Sequence, residues 1–336
     1  MIENKHTKHH IFKEWLRFLP VLLLFSLLLF LVSFFVLPTF QESVSKRLIQ
    51  QINNDFEGNL SYEGIQIRGK QISLTDFNLL GYCQDTIISL DTLQLDVNIG
   101  PIGVLANRYK FSNILLIGGY YHQKTHLGDT LPNITLTLNP EKEFNPKRSD
   151  LSLIFKNVTA RDFCFTLEDE NLAQRIDICS DQLQIQDLSY KNINNHLHFE
   201  HSFADGLQGT FRKYPLDDNA VAYGPRDPNW TYLTLELTDV LFCNSGFAFN
   251  NYQVPFQYDY REAVDYAHFD LRQMDLSIEH YTQYLLDFKF EDFSLSAIEK
   301  SGLTVKQVAG TSLHIDDAGL EWTDMIVATD KSNLQG

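Results

Sequence analysis

Histidine and carboxylate side chains are the groups in this sequence most readily used for catalysis or metal binding. The segment HLHFEH places His196 and His198 two residues apart, so both lie on one face of a predicted strand, while His201 is out of phase. Two imidazoles at this spacing can bind a metal ion, but neither a carboxylate nor a third ligand stands at a spacing that completes the site. We therefore interpret the segment as an ordinary polar strand face.

The acidic clusters also favour a structural role. The sequence EDE at residues 168–170 and the pair Asp316 and Asp317 fit solvated turns better than acid–base dyads. Patterns of the GxSxG, Walker and HExxH types are absent from the sequence. We therefore expect no catalytic residues, no cofactor and no metal, and we do not expect the chain to be an enzyme.

The four cysteines, Cys83, Cys164, Cys179 and Cys243, follow no metal-binding spacing. Cys164 and Cys179 stand symmetrically about a predicted turn. A hairpin centred on residues 171 and 172 would place both side chains on one face, where a disulfide could join them outside the cytoplasm. The alternative is that all four are free thiols packed as small apolar groups.

Composition and charge limit the partners of the chain. The 336 residues include 25 Phe and 15 Tyr but only 3 Met, an aromatic enrichment that favours strands. The formal net charge of −16 repels nucleic-acid phosphates and gives no attraction to anionic lipid headgroups. We therefore expect no nucleic-acid partner.

A membrane anchor is predicted at residues 18–41, which carry no charged side chain. Twenty helical residues span roughly 30 Å, about the thickness of the hydrocarbon core of a bilayer. Basic residues are concentrated in residues 1–17, which predicts a cytoplasmic tail and an extracytoplasmic remainder. The apolar run is longer than the core of a typical signal peptide, and no small-residue cleavage site follows it, so an uncleaved signal anchor is favoured over a cleaved signal peptide.

Strand patterns dominate the rest of the chain. Residues 42–56 form a predicted amphipathic juxtamembrane helix. Alternation of apolar and polar residues then predicts a first β segment at 57–140, a polar linker at 141–150 and a continuing β segment at 151–336. Because no βαβ alternation is visible, the predicted fold is mainly β: one elongated, curved sheet, antiparallel throughout, with few short helices.

Two segments interrupt this pattern, and the last residues bear on the extent of the chain. Residues 205–230 are rich in Gly, Pro and Asp and are interpreted as a long excursion, while SAIEKSG at 296–302 has the capping signals of a short helix. The strand pattern continues to the last residues, so we expect the sequence to be the N-terminal part of a longer protein.

One face of the predicted sheet is strongly apolar. In DTLQLDVNIG, residues 91–100, leucines, valine and isoleucine alternate with polar residues, and NITLTLN at 133–139 is interpreted in the same way as a strand. An ordinary packed core and a bound hydrophobic ligand are both compatible with such a dry face. The candidate lining residues are Leu93, Leu95, Val97, Ile99, Ile134, Leu136, Leu138, Leu151, Leu153, Phe155, Leu235 and Leu237.

The order of these parts resembles the N-terminal region of the AsmA/TamB family of bacterial envelope proteins. The resemblance is carried by ISLTDFNLLGYCQDTIISLDTLQLDVNIGPIGVLANRYKFSNILLIGGYY at residues 72–121. A second carrier is IEKSGLTVKQVAG at 298–310, together with GLEWTDMIVATDKSNLQG at 319–336. The motifs are degenerate apolar patterns that extend over nearly the whole chain.

This resemblance implies an inner-membrane anchor and a periplasmic β-groove of the bridge-like lipid-transfer type. Phospholipid acyl chains would be the ligand, and the protein would act in envelope biogenesis by conducting phospholipid between the two membranes. The alternative is a translocation and assembly module that helps outer-membrane or secreted proteins to insert, together with an Omp85-type barrel as partner. A membrane-anchored β scaffold with a filled core is the third interpretation.

Overall fold

The computed structural model describes residues 58–68, 70–97, 108–138, 152–191, 196–222, 234–256, 265–284, 287–316 and 318–336. The cytoplasmic tail, signal anchor, amphipathic helix and linker predicted above lie outside these ranges. Among the residues that the structure describes, no helix is long and apolar enough to cross a membrane.

The described chain is built almost entirely of strands, with a single helix, α1, of six residues. The elements in chain order are β1 (Asn59–Ser61), β2 (Gly64–Arg68), β3 (Gln71–Leu80), β4 (Thr86–Val97), β5 (Arg108–Thr125), α1 (Asn133–Leu138), β6 (Ser152–Asp169), β7 (Gln174–Lys191), β8 (His196–Asp205), β9 (Gln208–Lys213), β10 (Thr234–Asn251), β11 (His268–Tyr284), β12 (Asp287–Glu299), β13 (Thr304–Asp316), β14 (Gly319–Thr323), β15 (Ile326–Thr329) and β16 (Asn333–Gln335). The prediction of a mainly β fold is confirmed.

All sixteen strands belong to one sheet, which runs in the order β1-β3-β4-β5-β6-β7-β8-β10-β11-β12-β13-β15-β16. Strand β2 pairs with β3, and β14 pairs with β13. Strands β8 and β9 occupy successive stretches of one position in the sheet, because both pair with β7 on one side and β10 on the other.

The expectation of antiparallel pairing throughout is wrong at two places. Strand β6 runs parallel to β5, and β10 runs parallel to β8 and β9. In both cases a long connection, residues 126–151 or residues 214–233, separates the paired strands. Such connections are long enough to return the chain to the end at which the preceding strand began. The predicted excursion at 205–230 is also partly wrong, because it contains strand β9.

Most of the longer strands bend at a residue with positive φ in mid-strand. Each such residue is the third of four consecutive residues, which we call a quartet. The first residue of a quartet is apolar, and the third, the bend residue, is most often Asp. The bend residues have φ between 46° and 56°. Those within strands are Asp76, Gly118, Asp162, Asp187, His201, Asp239, Asn244, Gln273 and Asp292, while Asp324 has the same backbone conformation between β14 and β15. Asp and Asn tolerate the left-handed region better than other residues with a Cβ, which explains their use at these positions.

The bends are aligned on neighbouring strands. Asp162 lies beside Gly118, since the flanking residues pair as Ile117 with Arg161 and Gly119 with Phe163. Asp239 lies beside His201 in the same way. Within a quartet the two middle residues both point to the polar side of the sheet, as the exposed side chains of Arg161 and Asp162 do. Each bend therefore adds one residue to the polar side and shifts the apolar alternation by one position.

Replacement of Asp162 by valine should lower the free energy of unfolding by about 1–2 kcal/mol, because a β-branched side chain is strongly disfavoured at positive φ. Replacement by glycine should change it by less than about 1 kcal/mol. The matched control is Arg161→Val at the exposed neighbouring residue, whose φ is negative. Urea unfolding of the three variants tests this, and equal losses for Asp162→Val and Arg161→Val would contradict the role of the bend.

Residues Asn133–Leu138 form helix α1, so the interpretation of this segment as a strand is wrong. The buried residues are Asn133, Leu136 and Thr137, which is the spacing of one helix face. The Asn133 side chain accepts hydrogen bonds from Lys124 N, at 3.0 Å, and Ile134 N, at 2.8 Å, and it donates to Asp85. These contacts fix the first turn of the helix against β5 and the β3–β4 turn, which the alternating pattern could not reveal.

The short helix predicted at residues 296–302 is also wrong. Strand β12 continues to Glu299, and residues 300–302 form a tight turn into β13. Glu299 is 3% exposed, and its carboxylate accepts hydrogen bonds from Ser301 N at 2.7 Å and Asp270 N at 3.3 Å. Glu299, one of the residues that suggested a helix cap, therefore stabilises a hairpin turn.

Candidate functional site: the apolar face of the sheet

One face of the sheet is apolar from β3 to β13. The bends aligned with Gly118 and Asp162 form one line across the sheet, and those aligned with His201 and Asp239 form a second line. These two lines divide the apolar face into three bands. Directly paired residues lie on the same face, so the register defines each band. The central band comprises Leu93, Leu95, Ile114, Leu116, Val158, Ala160, Leu183, Ile185, Ala204, Val240, Phe242, Leu276, Ile278, Phe293, Leu295 and Val308.

The two lateral bands lie beyond the bends. The first lateral band comprises Phe111, Phe155, Leu188, Phe199, Leu235, Leu237, Tyr281, Phe288, Phe290, Leu313 and Trp322. The second lateral band comprises Ile88, Tyr121, Phe163, Phe165, Leu167, Ile176, Ile178, Phe211, Phe247, Phe249, Phe269 and Leu271.

Side-chain contacts confirm that the bands on either side of a bend share one face. Val240, Ile278 and Phe293 of the central band form a buried cluster. Leu237, Tyr281 and Phe290 of the first lateral band pack against that cluster. The rings of Phe290 and Phe293, on opposite sides of the Asp292 bend, have centroids 6.1 Å apart. The strand therefore changes direction without moving its apolar residues to the other face.

Aromatic rings from adjacent strands extend this surface. Phe111 stacks on Phe155 with a centroid distance of 5.0 Å, and Tyr121 stacks on Phe165 at 5.2 Å. Further along the sheet, the ring of Phe249 lies 5.6 Å from that of Phe269. Such pairs stabilise neighbouring strands by about 0.5–1.5 kcal/mol beyond the area they bury. They stabilise the single sheet to which all the described strands belong.

The apolar face is only partly shielded from solvent. Most side chains of the central band are half-buried, and the structure places every strand it describes in this one sheet. Burial raises the pKa of Tyr281, in the first lateral band, to about 12, and it also raises the pKa of Tyr121, in the second lateral band. A partly exposed apolar face is compatible with a bound hydrophobic ligand.

The structure brings together five of the twelve predicted lining residues. Leu93 and Leu95 lie in the central band, while Phe155, Leu235 and Leu237 lie in the first lateral band.

The other seven predicted lining residues divide into three groups. Ile134, Leu136 and Leu138 belong to helix α1, so their assignment to a strand of the apolar face is wrong. Val97 belongs to β4 and Leu153 to β6, but the side chains of both lie outside the described part of the structure. Ile99 and Leu151 lie wholly outside the described residues.

The predicted lining residues include no member of the second lateral band and none of the aromatic residues of β11 and β12. The signal that could have found them is the bend quartet. A strict two-residue period places Phe163 on the polar side, whereas the quartet at residues 160–163 returns it to the apolar side. The same quartet pattern recurs at residues 74–77, 185–188, 237–240 and 290–293.

The polar face carries the predicted cysteine pair and an ion network. Cys164 pairs directly with Cys179 across the β6–β7 hairpin, and the two are joined by a disulfide. Beside it, Arg175 and Arg212 both bind the carboxylate of Asp177. Burial raises the pKa of Asp177, but hydrogen bonds from Arg175 and Thr166 and the charges of both arginines outweigh that effect, so the pKa lies below its usual value.

The histidines of β8 also lie on the polar face and have partners that the sequence analysis missed. Glu236 of β10 contacts His196 at 2.9 Å and His198 at 3.3 Å, and His280 of β11 lies 3.9 Å from the same carboxylate. Strand pairing brings these residues together from positions far apart in sequence. In the described ranges, no group of His, Cys, Asp and Glu side chains has an arrangement that could hold a metal ion.

Neither a scan with protein-family models nor a search of curated proteins gives a match to this chain. The resemblance to the AsmA/TamB family therefore rests on the residues quoted above.

Proposed function

We propose that the chain is a membrane-anchored groove protein of the bacterial envelope that conducts phospholipid acyl chains along its apolar face. The observation that carries this proposal is the continuity of the apolar face across ten strand positions, from β3 to β13, together with its partial exposure. The protein would be held in the inner membrane by residues 18–41, with the sheet in the periplasm.

The bends support a concave apolar face. In each quartet two adjacent residues lie on the polar side, so the polar surface is longer than the apolar surface along the strand. A strand with an extra residue on one side bends away from that side. Two aligned lines of bends would therefore give the sheet the cross-section of a trough, with the central band as its floor and the lateral bands as its walls.

Acyl chains suit such a trough. Apolar area left in water costs about 25 cal/mol per Å², so a half-exposed apolar floor favours an apolar guest. A hydrocarbon tail requires no hydrogen bonds and can move along successive leucine, valine and isoleucine side chains. The headgroup would stay at the open side of the trough, in water.

Photo-crosslinking in cells tests the proposal directly. A photoreactive amino acid at Leu95, in the central band, should capture phospholipid, whereas the same probe at Gln94, on the opposite face of β4, should not. The two positions are adjacent, so they share expression level and membrane context. Crosslinks from Leu95 only to other parts of the same chain would instead indicate a filled core.

The same experiment distinguishes the alternative function. Crosslinks from Leu95 to unfolded or outer-membrane proteins, with no lipid adduct, would replace the lipid conduit by a translocation and assembly module. Mass spectrometry of the adducts separates these outcomes.

A further inference from the structure

We propose that the loop ends beside the β6–β7 turn form a docking site for a partner polypeptide segment in which lysine or arginine is flanked by apolar residues. The site is separate from the apolar face and does not depend on the ligand of that face. It consists of a hollow and an adjoining exposed apolar patch, both at the end of the sheet where β5, β6, β9 and β10 terminate.

The hollow has a volume of about 280 Å³. Its apolar wall comes from Leu127, Ala173 and the ring of Tyr214. The remaining wall carries four carboxylates, which are those of Glu168, Asp169, Glu170 and Asp217. An aliphatic and aromatic wall opposite carboxylates matches the stem and the charged head of a lysine or arginine side chain.

The charge of the hollow favours a cation. Lys124 contacts Glu170 at 2.6 Å and Glu168 at 3.5 Å, and Arg175 contacts Glu168 at 3.4 Å. These two cations offset only part of the charge of the four carboxylates, and Arg175 also binds Asp177. Asp217, on the open side, accepts its hydrogen bonds from the uncharged backbone and side-chain amides of Asn219, at 2.8 and 2.9 Å. Its negative charge is therefore available to a partner.

Glu170 is ionised at neutral pH. Burial raises the pKa of Glu170, but hydrogen bonds from Lys124 and Leu127 N and the charge of Lys124 outweigh that effect, so its pKa is lowered. Leu127 N donates to this carboxylate at 2.7 Å, which fixes the loop after β5 against the β6–β7 turn.

An exposed apolar patch adjoins the hollow. Its members come from four loop ends, and Leu216 is 63% exposed. The patch comprises Leu127, Leu172, Tyr214, Leu216, Tyr252 and Val254. Tyr214 stacks on Tyr252 and lines the hollow together with Leu127, so these members adjoin one another beside the carboxylates. Scattered single apolar residues on a surface need no explanation, but apolar residues grouped beside charge mark an interaction site.

Hydrogen bonds between the loops hold the patch in one arrangement. Tyr214 N donates to Ala173 O at 2.7 Å, and Tyr252 N donates to Lys213 O at 2.8 Å. The rings of Tyr214 and Tyr252 stack with a centroid distance of 5.3 Å. A preformed surface of this kind binds a partner without the entropy cost of ordering its own loops.

Charge decides the kind of partner. A second copy of this chain would bring the same carboxylates to the interface, and an anionic membrane surface would be repelled. A basic segment with apolar neighbours satisfies both parts of the site, with the cation in the hollow and the apolar side chains on the patch.

Binding of a labelled peptide to the purified full chain in detergent tests the proposal. The probe is acetyl-GVLKRLIG-amide, and the matched control peptide is acetyl-GVLQQLIG-amide, which keeps the apolar residues and removes the charges. We expect the basic peptide to bind at least about tenfold more tightly, and its binding to weaken as the salt concentration rises.

Two substitutions at adjacent exposed residues complete the test. Asp217→Lys should weaken binding of the basic peptide at least about tenfold, whereas Asp218→Lys, which makes the same charge change outside the lining of the hollow, should have less than about a threefold effect. Equal affinity for the two peptides, or equal effects of the two substitutions, would overturn the proposal. A concentration-dependent dimer that Leu216→Ser dissociates would overturn it in favour of a second copy as the occupant.

Discussion

Glutamate in place of Ile185 should reduce phospholipid transfer by at least about tenfold. Ile185 lies in the central band of β7, between Val158 and Ser202 on the neighbouring strands. An ionised carboxylate at this point would face acyl chains in a medium of low polarity, and each 1.36 kcal/mol added to the barrier slows transfer tenfold. The measurement is transfer of a fluorescent phospholipid between donor and acceptor vesicles by the full chain.

The control for Ile185→Glu is Gln184→Glu at the adjacent residue. Gln184 lies on the opposite face of β7, so the same charge added there should leave transfer within about twofold of the wild type. Thermal unfolding of both variants establishes that the sheet is intact. Equal transfer by the two variants, with both folded, would show that the central band is not the path of the lipid.

Alanine in place of Gly119 should destabilise the fold by more than about 3 kcal/mol. Gly119 has φ of +148° and lies opposite Leu90 on β4. A Cβ at this position would overlap the carbonyl oxygen of Ser89 and lie 2.9 Å from both Ser89 C and Leu90 Cα. Backbone atoms cannot rotate away as a flexible side chain can, so the β4–β5 pairing itself would have to shift.

Gly128→Ala is the control that distinguishes the stability cost of steric overlap from the stability cost of a positive φ alone. Gly128 also has a positive φ, +88°, but a Cβ there would meet no atom within 4 Å. Its substitution should therefore cost only the conformational penalty of about 1–2 kcal/mol. Denaturant unfolding of both variants gives the comparison, and a loss at Gly119 no greater than that at Gly128 would refute the close approach of β4 and β5.

Local alternation was sufficient to predict the fold class, because each long strand keeps one apolar side between its bends. The hairpin symmetry about residues 171 and 172 was also visible, and the register places Cys164 opposite Cys179. Pairing direction was not visible, since it depends on where the connections at 126–151 and 214–233 return the chain. Helix α1 was missed because its six residues are fixed by contacts with Asp85 and Lys124, which are remote in sequence.

Most residues of the two lateral bands could not be predicted with a strict two-residue period. Each bend shifts the two-residue period by one position. Residues of the lateral bands can therefore be assigned to the apolar face only when the position of the bend is known. Asp162, Asp187 and Asp239 look like ordinary polar residues of an exposed strand face. Their positive φ becomes evident only in the structure, although the recurrence of apolar–polar–Asp–apolar along the chain is a signal that can be sought in other sequences.

Because all the described strands belong to one sheet, the number of strands sets the length of the apolar face. Each strand added beside the last lengthens the face by roughly 4.8 Å, while the position of its bends fixes the cross-section independently. Removal of one hairpin would therefore shorten the face by roughly 10 Å and leave its width unchanged. The length of such a protein can therefore change by insertion or deletion of hairpins while the cross-section of its apolar face stays the same.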